Sequence, residues 1–202
     1  MTVAAILLAA GASSRMGSPK PLLPWAGTTL IEWELTELRA AGVDEVVVVL
    51  GARAEAVRRV LLTDPATLVF NARWAQGRAT SLAAGARALL ALAPDLVVIE
   101  NVDQPAPASL VARLIEAAHS AGADAVQPVY LDADGAEHGG HPVVLRGAVL
   151  PALALATEAA EGLRGVLARR AVHRVRIEGE PATAWDLDTP EAYEAARRAF
   201  GG

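Results

Sequence analysis

The run Leu8-Ala9-Ala10-Gly11-Ala12-Ser13-Ser14-Arg15-Met16-Gly17-Ser18-Pro19-Lys20 sets two cations among small residues. Small residues let backbone N–H groups approach phosphate oxygens, Arg15 can fork onto two of those oxygens, and Lys20 adds a compact point charge. The combination suits a triphosphate. Lys20 is the single lysine among 18 Lys and Arg residues, so a chain that solvates itself with arginine has kept an ammonium at this one place. An ordinary strand-to-helix loop with solvated cations is the plainer alternative, and Lys20 weighs against it. The spacing is not a Walker A loop, because Ser18 follows Gly17, nor is it Gly-x-Gly-x-x-Gly.

A bound triphosphate calls for a cation, and magnesium prefers a few carboxylates together with water and phosphate oxygens. Asp103 heads Asp103-Gln104-Pro105 just after the apolar run Leu96 to Ile99, and also reads as a cap for the helix that follows. Asp186 and Asp188 alternate on a short strand, which lets both face one side and share a metal or water with Asp103. Asp188 and Glu191 equally form a capping-box-like pair around Pro190. Glu100 adds a carboxylate to which the sequence assigns no role.

A further group runs from Asn71 to Leu82 and mixes polar anchors with Trp74. Trp74 reads as a core residue, and the helix start near Thr80 favours an anion. Gly139-Gly140-His141-Pro142 places His141 to meet an acceptor substrate; with no cysteine and no third ligand, His138 and His141 argue against zinc. Arg164, Arg169, Arg170, Arg174 and Arg176 read as a solvated face.

These residues need a frame that brings loops together. Val3 to Ala9, Val46 to Leu50 and Leu96 to Ile99 are apolar runs of strand length, and each leads into one of the polar loops. Weaker strands are Leu68 to Phe70, Ala125 to Val129, Val143 to Leu145, Val172 to Ile177 and Ala184 to Leu187. Helical segments are Leu30 to Ala41 after the caps Thr28 and Thr29, Glu55 to Leu62, Ser81 to Leu92, Pro107 to Ala121 and Pro190 to Phe200, with Gly42 and Gly122 as stops. The alternation predicts an α/β fold of three layers, a mostly parallel sheet with helices on both faces and ligands beyond the carboxyl ends of the strands. The expected organisation is one domain over 1–202 with a hairpin inserted at 130–144 around Asp132-Ala133-Asp134-Gly135.

Composition narrows the partners. A net charge of −5 provides no basic field for nucleic acid. The first apolar run stops at Gly11, too short for a membrane span and without a basic leader, and cysteine is absent. A cytoplasmic protein without a membrane or nucleic-acid partner is expected.

The segment from Leu8 to Lys20, continuing through Pro21-Leu22-Leu23-Pro24-Trp25 to Thr29-Leu30-Ile31-Glu32, resembles the signature of molybdenum cofactor cytidylyltransferases and their nucleotidyltransferase relatives. The likeness returns at Asn71 to Gly85, Asp103-Gln104-Pro105, Gly140-His141-Pro142, Gly162-Leu163-Arg164-Gly165 and Asp186 to Pro190. The resemblance implies a Rossmann-like, mixed sheet of the nucleotide-diphospho-sugar transferase type. It implies that the backbone of Leu8, Ala9, Ala10 and Gly11 touches the base, that Arg15 and Lys20 hold the triphosphate, and that Gly77 and Ser81 contact base or ribose. Asp103, with Asp186 and Asp188, would bind Mg²⁺. Lys20, Arg15 and Asp103 would be the catalytic set, moving CMP from CTP to an anionic phosphorylated acceptor such as molybdopterin, with a molybdoenzyme as a further partner. Relatives that transfer guanylate tend to carry a second glycine where this chain has Ala10, and Asn101 and Val102 stand where small residues are commoner. Transfer to another phosphorylated small molecule, a non-transferring nucleotide-binding accessory protein, and an oxidoreductase on the same scaffold are the alternatives.

Overall fold

A computed structural model describes residues 1–131, 135–178 and 186–200. The chain begins with β1 (Val3–Ala9), passes through the short antiparallel pair β2 (Pro24–Trp25) and β3 (Thr28–Thr29), and enters α1 (Leu30–Ala40). It continues as β4 (Glu45–Leu50), α2 (Ala54–Val60), β5 (Thr67–Phe70), α3 (Arg78–Leu89), β6 (Leu96–Asn101) and α4 (Ala108–Ser120). Next come β7 (Ala125–Leu131), β8 (Glu137–Gly139), β9 (Val143–Arg146), α5 (Leu150–Leu153), α6 (Gly162–Leu167), β10 (Val172–Arg176) and α7 (Pro190–Phe200).

The main sheet has the order β10-β7-β9-β6-β1-β4-β5, with β8 paired to β7. Pairings β1–β4, β1–β6, β4–β5 and β7–β10 are parallel, whereas β9 runs antiparallel to both β6 and β7. The fold is therefore α/β, a mixed and mostly parallel sheet between helical layers, as the alternation of runs predicts.

Strand β1 shows why. All seven of its residues are buried, and they divide by parity. Val3, Ala5, Leu7 and Ala9 join the core shared with α1, α2 and α4, while Ala4, Ile6 and Leu8 join the one shared with α3 and α5. A strand covered on both faces has no polar side to offer, so it reads as one apolar run. Close packing of α3 on this sheet uses Gly85, where an added Cβ would lie 2.5 Å from Ile6.

Helix α1 starts where predicted. Glu32 accepts hydrogen bonds from the Thr29 amide at 3.1 Å and from the Thr28 hydroxyl at 2.7 Å, and Gly42 with φ +91 ends the helix in left-handed conformation. Gly122 does not act this way: the residue after α4, Ala121, already turns into extended backbone at ψ 131. Helix α3 begins three residues before the predicted Ser81 and takes in Arg78. The Ala184–Leu187 strand falls partly outside the described residues, and Asp186 to Asp188 have no strand structure. Residues 132–134 likewise lie outside them; on either side, Tyr130 pairs antiparallel with His138.

Candidate functional site

The carboxyl ends of β1 and β6 open into a cleft of about 290 Å³ lined by Leu8, Ala9, Ala10, Gly11, Arg15, Lys20, Ser81, Asn101, Val102, Asp103 and Asp188, among others. The loop after β1 is organised by Ser13. Its φ of 53 is left-handed, its carbonyl accepts from the Met16 amide at 3.0 Å, and its hydroxyl accepts from the Lys20 amide at 2.9 Å. Lys20 is thereby turned inward, 8% exposed.

The Lys20 ammonium donates to Asp103 at 2.9 Å and to Asp188 at 2.6 Å. Burial works against this charge, but the hydrogen bonds and charges of Asp188 and Asp103 outweigh it and hold the Lys20 pKa above its usual value. Arg15 reaches the same Asp188 at 2.6 Å from a side chain that is 66% exposed. The Lys20 hydrogen bond and, behind it, Arg15 keep the Asp188 carboxyl below the usual range.

Carboxylate oxygens of Asp103, Asp186 and Asp188 come within 4.8 Å of one another. Burial and the like charges of Asp188 and Asp103 push the Asp186 carboxyl up, so this corner still lacks positive charge even with Lys20 in place. An all-oxygen set of three carboxylates, one of them uncompensated, fits a hard divalent cation. The loops that carry it are separated by more than eighty residues in sequence. They meet because the Leu187 amide donates to the Asp103 carbonyl at 2.9 Å.

Two capping readings fail. Helix α4 starts at Ala108, beyond the reach of Asp103 as an N-cap, and its first amide is taken instead by Glu37 at 2.6 Å. At α7 the Thr189 hydroxyl accepts from the Ala192 amide at 3.2 Å. Asp188 is thus released from the helix start to meet Lys20 and Arg15. The sequence could not separate these readings because a capping aspartate and a ligating aspartate occupy the same place, the end of a strand before a helix.

Ser81 is buried, lines the first cleft and accepts from Asn71 Nδ2 at 2.9 Å. Trp74 is only half-buried and also lines this cleft, which corrects its assignment to the core. It rests against Gly51, where a Cβ would meet both Trp74 and the Ala10 carbonyl at 2.6 Å. Gly77 lines neither cleft. It is the residue before α3, at φ 117, and the Glu158 side chain fills the space beside it. The Glu158 carboxylate accepts from the Ala79 amide, so the anion that the α3 N-terminus favours is supplied by the chain itself. Nothing local in the sequence signals that contact, which spans 79 residues.

A second cleft of about 780 Å³ adjoins the first, sharing Leu8, Arg78 and Asn101 with it. Its wall carries His141, Gln127, Arg164 and Arg174. Arg164 and Arg174 therefore face a cleft, and Arg174 and Arg176 also pair with Glu137 at 3.8 and 2.8 Å. His141, whose bond to Pro142 is cis, is driven by burial and by the Arg78 charge down to a pKa of about 4, so its imidazole is neutral at pH 7. His138 stacks on Tyr130 with ring centroids 5.7 Å apart. Arg78, common to both clefts, is the residue that sequence reasoning passed over; its place at the first turn of a helix bordering a polar loop was the available signal.

Among the described residues no helix is long and apolar enough to cross a membrane. The nicotine blue oxidoreductase of Paenarthrobacter nicotinovorans is 33% identical over 192 residues, 94% of this chain and 93% of that protein. The phosphoenolpyruvate guanylyltransferase of Rubrobacter xylanophilus is 34% identical over 95% of this chain and 90% of its own. Among solved structures, Rv0371c from Mycobacterium tuberculosis H37Rv superposes with a TM-score of 0.79 at 27% identity, covering 98% of this chain and 97% of that one. The same protein has been solved in complex with manganese, with a TM-score of 0.74 to this chain. The model of the MobA-like NTP transferase domain matches residues 5–175, a span that contains the glycine loop, Lys20, Asp103 and both clefts' principal walls. With that match across most of its length, the chain belongs to the MobA-like NTP transferase domain family and is a nucleotidyltransferase.

Proposed function

We propose that the protein transfers CMP from CTP to a molybdopterin-type molybdenum cofactor in the presence of Mg²⁺, with release of pyrophosphate. The observation that carries this reading is the juxtaposition of the two clefts. One holds Lys20, Arg15, Asp103 and Asp188, with Asp186 beside them; the other holds arginines and a neutral imidazole, and Arg78 belongs to both. The backbone of Leu8, Ala9, Ala10 and Gly11 would take the base, with Ser81 toward the ribose. Gly77 would act by shaping the start of α3. Ala10 in place of a second glycine is what favours cytosine.

Arg15 and Lys20 would hold the triphosphate. Lys20 would exchange its carboxylate partners for phosphate oxygens and offset the charge that builds there. Asp103, Asp186 and Asp188 would hold Mg²⁺, which when bound supplies Lewis-acid charge to the phosphates. The acceptor's phosphate monoester, with a second pKa of about 6, is largely a dianion at neutral pH and needs no strong base. His141, neutral and half-buried, would orient the acceptor by hydrogen bonding. Much of the rate would come from holding nucleophile, α-phosphorus and leaving group in line. On this reading the reaction runs in the cytoplasm and its product passes to a molybdoenzyme.

Incubation with each NTP, Mg²⁺ and molybdopterin, followed by pyrophosphate measurement, tests the proposal. CTP-dependent release supports it, and release with GTP alone moves the reading to guanylyl transfer. The relative named as an oxidoreductase, 33% identical over 94% of this chain, favours a second reading of a different class, an oxidoreductase or a non-transferring nucleotide-binding protein on the same scaffold. Tight NTP binding with no pyrophosphate from any phosphorylated acceptor would select it.

A further inference from the structure

Two glutamates in the main core take no part in the chemistry described above. Glu34 on α1 and Glu100 on β6 are both 0% exposed. Glu34 interrupts the apolar stripe Leu30, Ile31, Leu35 and Leu38, while Glu100 lies between Val98 and Val102 and opposite Leu7 of β1. Glu100 has the strand parity of Val98 and Val102, which pack in the same core as α1, and each carboxyl acts on the proton affinity of the other; among the described residues no side chain donates a hydrogen bond to any of their four oxygens. The Ala106 amide, at the end of the turn that begins with Asp103, favours the ionised form of both.

Among the described residues, the charges that act on the pair most strongly are acidic. Asp103 faces Glu34, and Glu37, whose carboxylate holds the Ala108 amide, faces Glu100. Lys20 is committed to Asp103 and Asp188. The buried residues of α4 are apolar: Leu110, Val111, Leu114, Ile115 and Ala118. Two ionised carboxylates sealed together in an apolar core cannot both persist, and a proton compensates for them.

We infer that Glu34 and Glu100 share one proton in a carboxylic acid–carboxylate hydrogen bond, and that this bond positions the Asp103–Ala106 turn against α1. Glu34 and Glu100 are positioning residues: they reach the cation site through the turn that carries Asp103. This second half of the inference rests on the metal role proposed for Asp103; the shared proton does not. Burial pushes the Glu100 acid up to about 7, and burial together with the Glu100 charge pushes Glu34 well above the usual range. The pair therefore binds a proton in the folded state that the unfolded chain releases above its ordinary carboxyl pKa. Stability and the geometry of the turn are retained at low pH and decline as pH rises through the folded values.

Infrared difference spectra of the full chain, titrated through neutral pH, read the proton directly. The C=O stretch of a buried protonated carboxyl is expected at pH 7 in the wild type and absent from the Glu34→Gln/Glu100→Gln double variant. If that variant does not fold, the band and its titration in the wild type still decide the point; its absence there overturns the shared proton. For positioning, Mn²⁺ affinity is measured by electron paramagnetic resonance at pH 6.5 and 8.5, values bracketing about 7. The wild type is expected to weaken several-fold more than Glu100→Gln, which lacks the acid that burial pushes up to about 7. Equal pH dependence in the two proteins overturns the positioning role. A wild type that binds no Mn²⁺ at either pH removes the metal assignment and the positioning role together, and leaves the infrared result to judge the proton.

Discussion

Glu100 and Asp103 stand at one strand end, yet the acidic groups to which they belong are neutralised in opposite ways. Around Asp103, three carboxylates converge at the mouth of a cleft and meet the only lysine of the chain, with Asp186 still short of a counter-charge. Around Glu100, two carboxyls are sealed among leucines and valines, and among the described residues the charges that act on them most strongly are acidic. The first group is open to ions and ligands and its charge is exchangeable. The second can be neutralised only by a proton. Where an acid sits relative to water decides whether it is built to hold a ligand or to hold the fold.

Substitutions that convert one kind of neutralisation into the other should separate the groups, and the largest effect belongs to Lys20. Lys20→Met removes the ammonium from the cleft, and pyrophosphate release is expected to fall by ~10²–10³-fold, as when a preorganised oxyanion donor is lost. Glu34→Gln at pH 6.5 should by contrast remain near wild-type rate. Similar losses in both variants would erase the distinction. Stability should respond in the other order: between pH 5 and pH 8 the wild type should lose on the order of 2 kcal/mol relative to Glu100→Gln in urea unfolding, the gain from the depressed His141 as pH rises being common to both. A parallel decline in the variant would place the pH dependence elsewhere.

Smaller effects are expected at the edges of the clefts. His141→Gln should raise the acceptor KM by roughly 10-fold while leaving the CTP KM unchanged, since a neutral imidazole acts there as a hydrogen-bonding group. With its pKa at about 4, His141 should contribute no activity step near pH 6.5 in the wild type. Arg15→Ala should have the least effect on stability, ~0–1 kcal/mol, because its partner Asp188 is reached from an exposed position. Its consequence should appear in CTP affinity instead, read by isothermal titration.

The central strands were legible because β1, β4 and β6 are covered on both faces and so carry no polar alternation. The glycine loop and Asp103 were legible for the same reason, since they follow those runs directly. What escaped depends on distance in the chain. Glu34 was hidden inside a helix whose periodicity is otherwise sound, and only its break in the apolar stripe marks it. Glu158 reaches α3 from 79 residues away, and Asp188 read equally as a site residue and as a helix cap, its pairing with Lys20 and Arg15 spanning most of the chain. The short segments β2, β3, α5 and α6 were missed because a few residues cannot establish a period.

The distinction between the two acidic groups is tested most directly by pyrophosphate release from CTP and molybdopterin as a function of Mg²⁺ concentration, compared between the wild type and Asp103→Asn. The wild type should show saturable, Mg²⁺-dependent release that a chelator abolishes, and Asp103→Asn should need far more Mg²⁺ and reach a much lower rate. Release that is independent of Mg²⁺, or a variant whose Mg²⁺ curve overlays the wild type, would contradict the account.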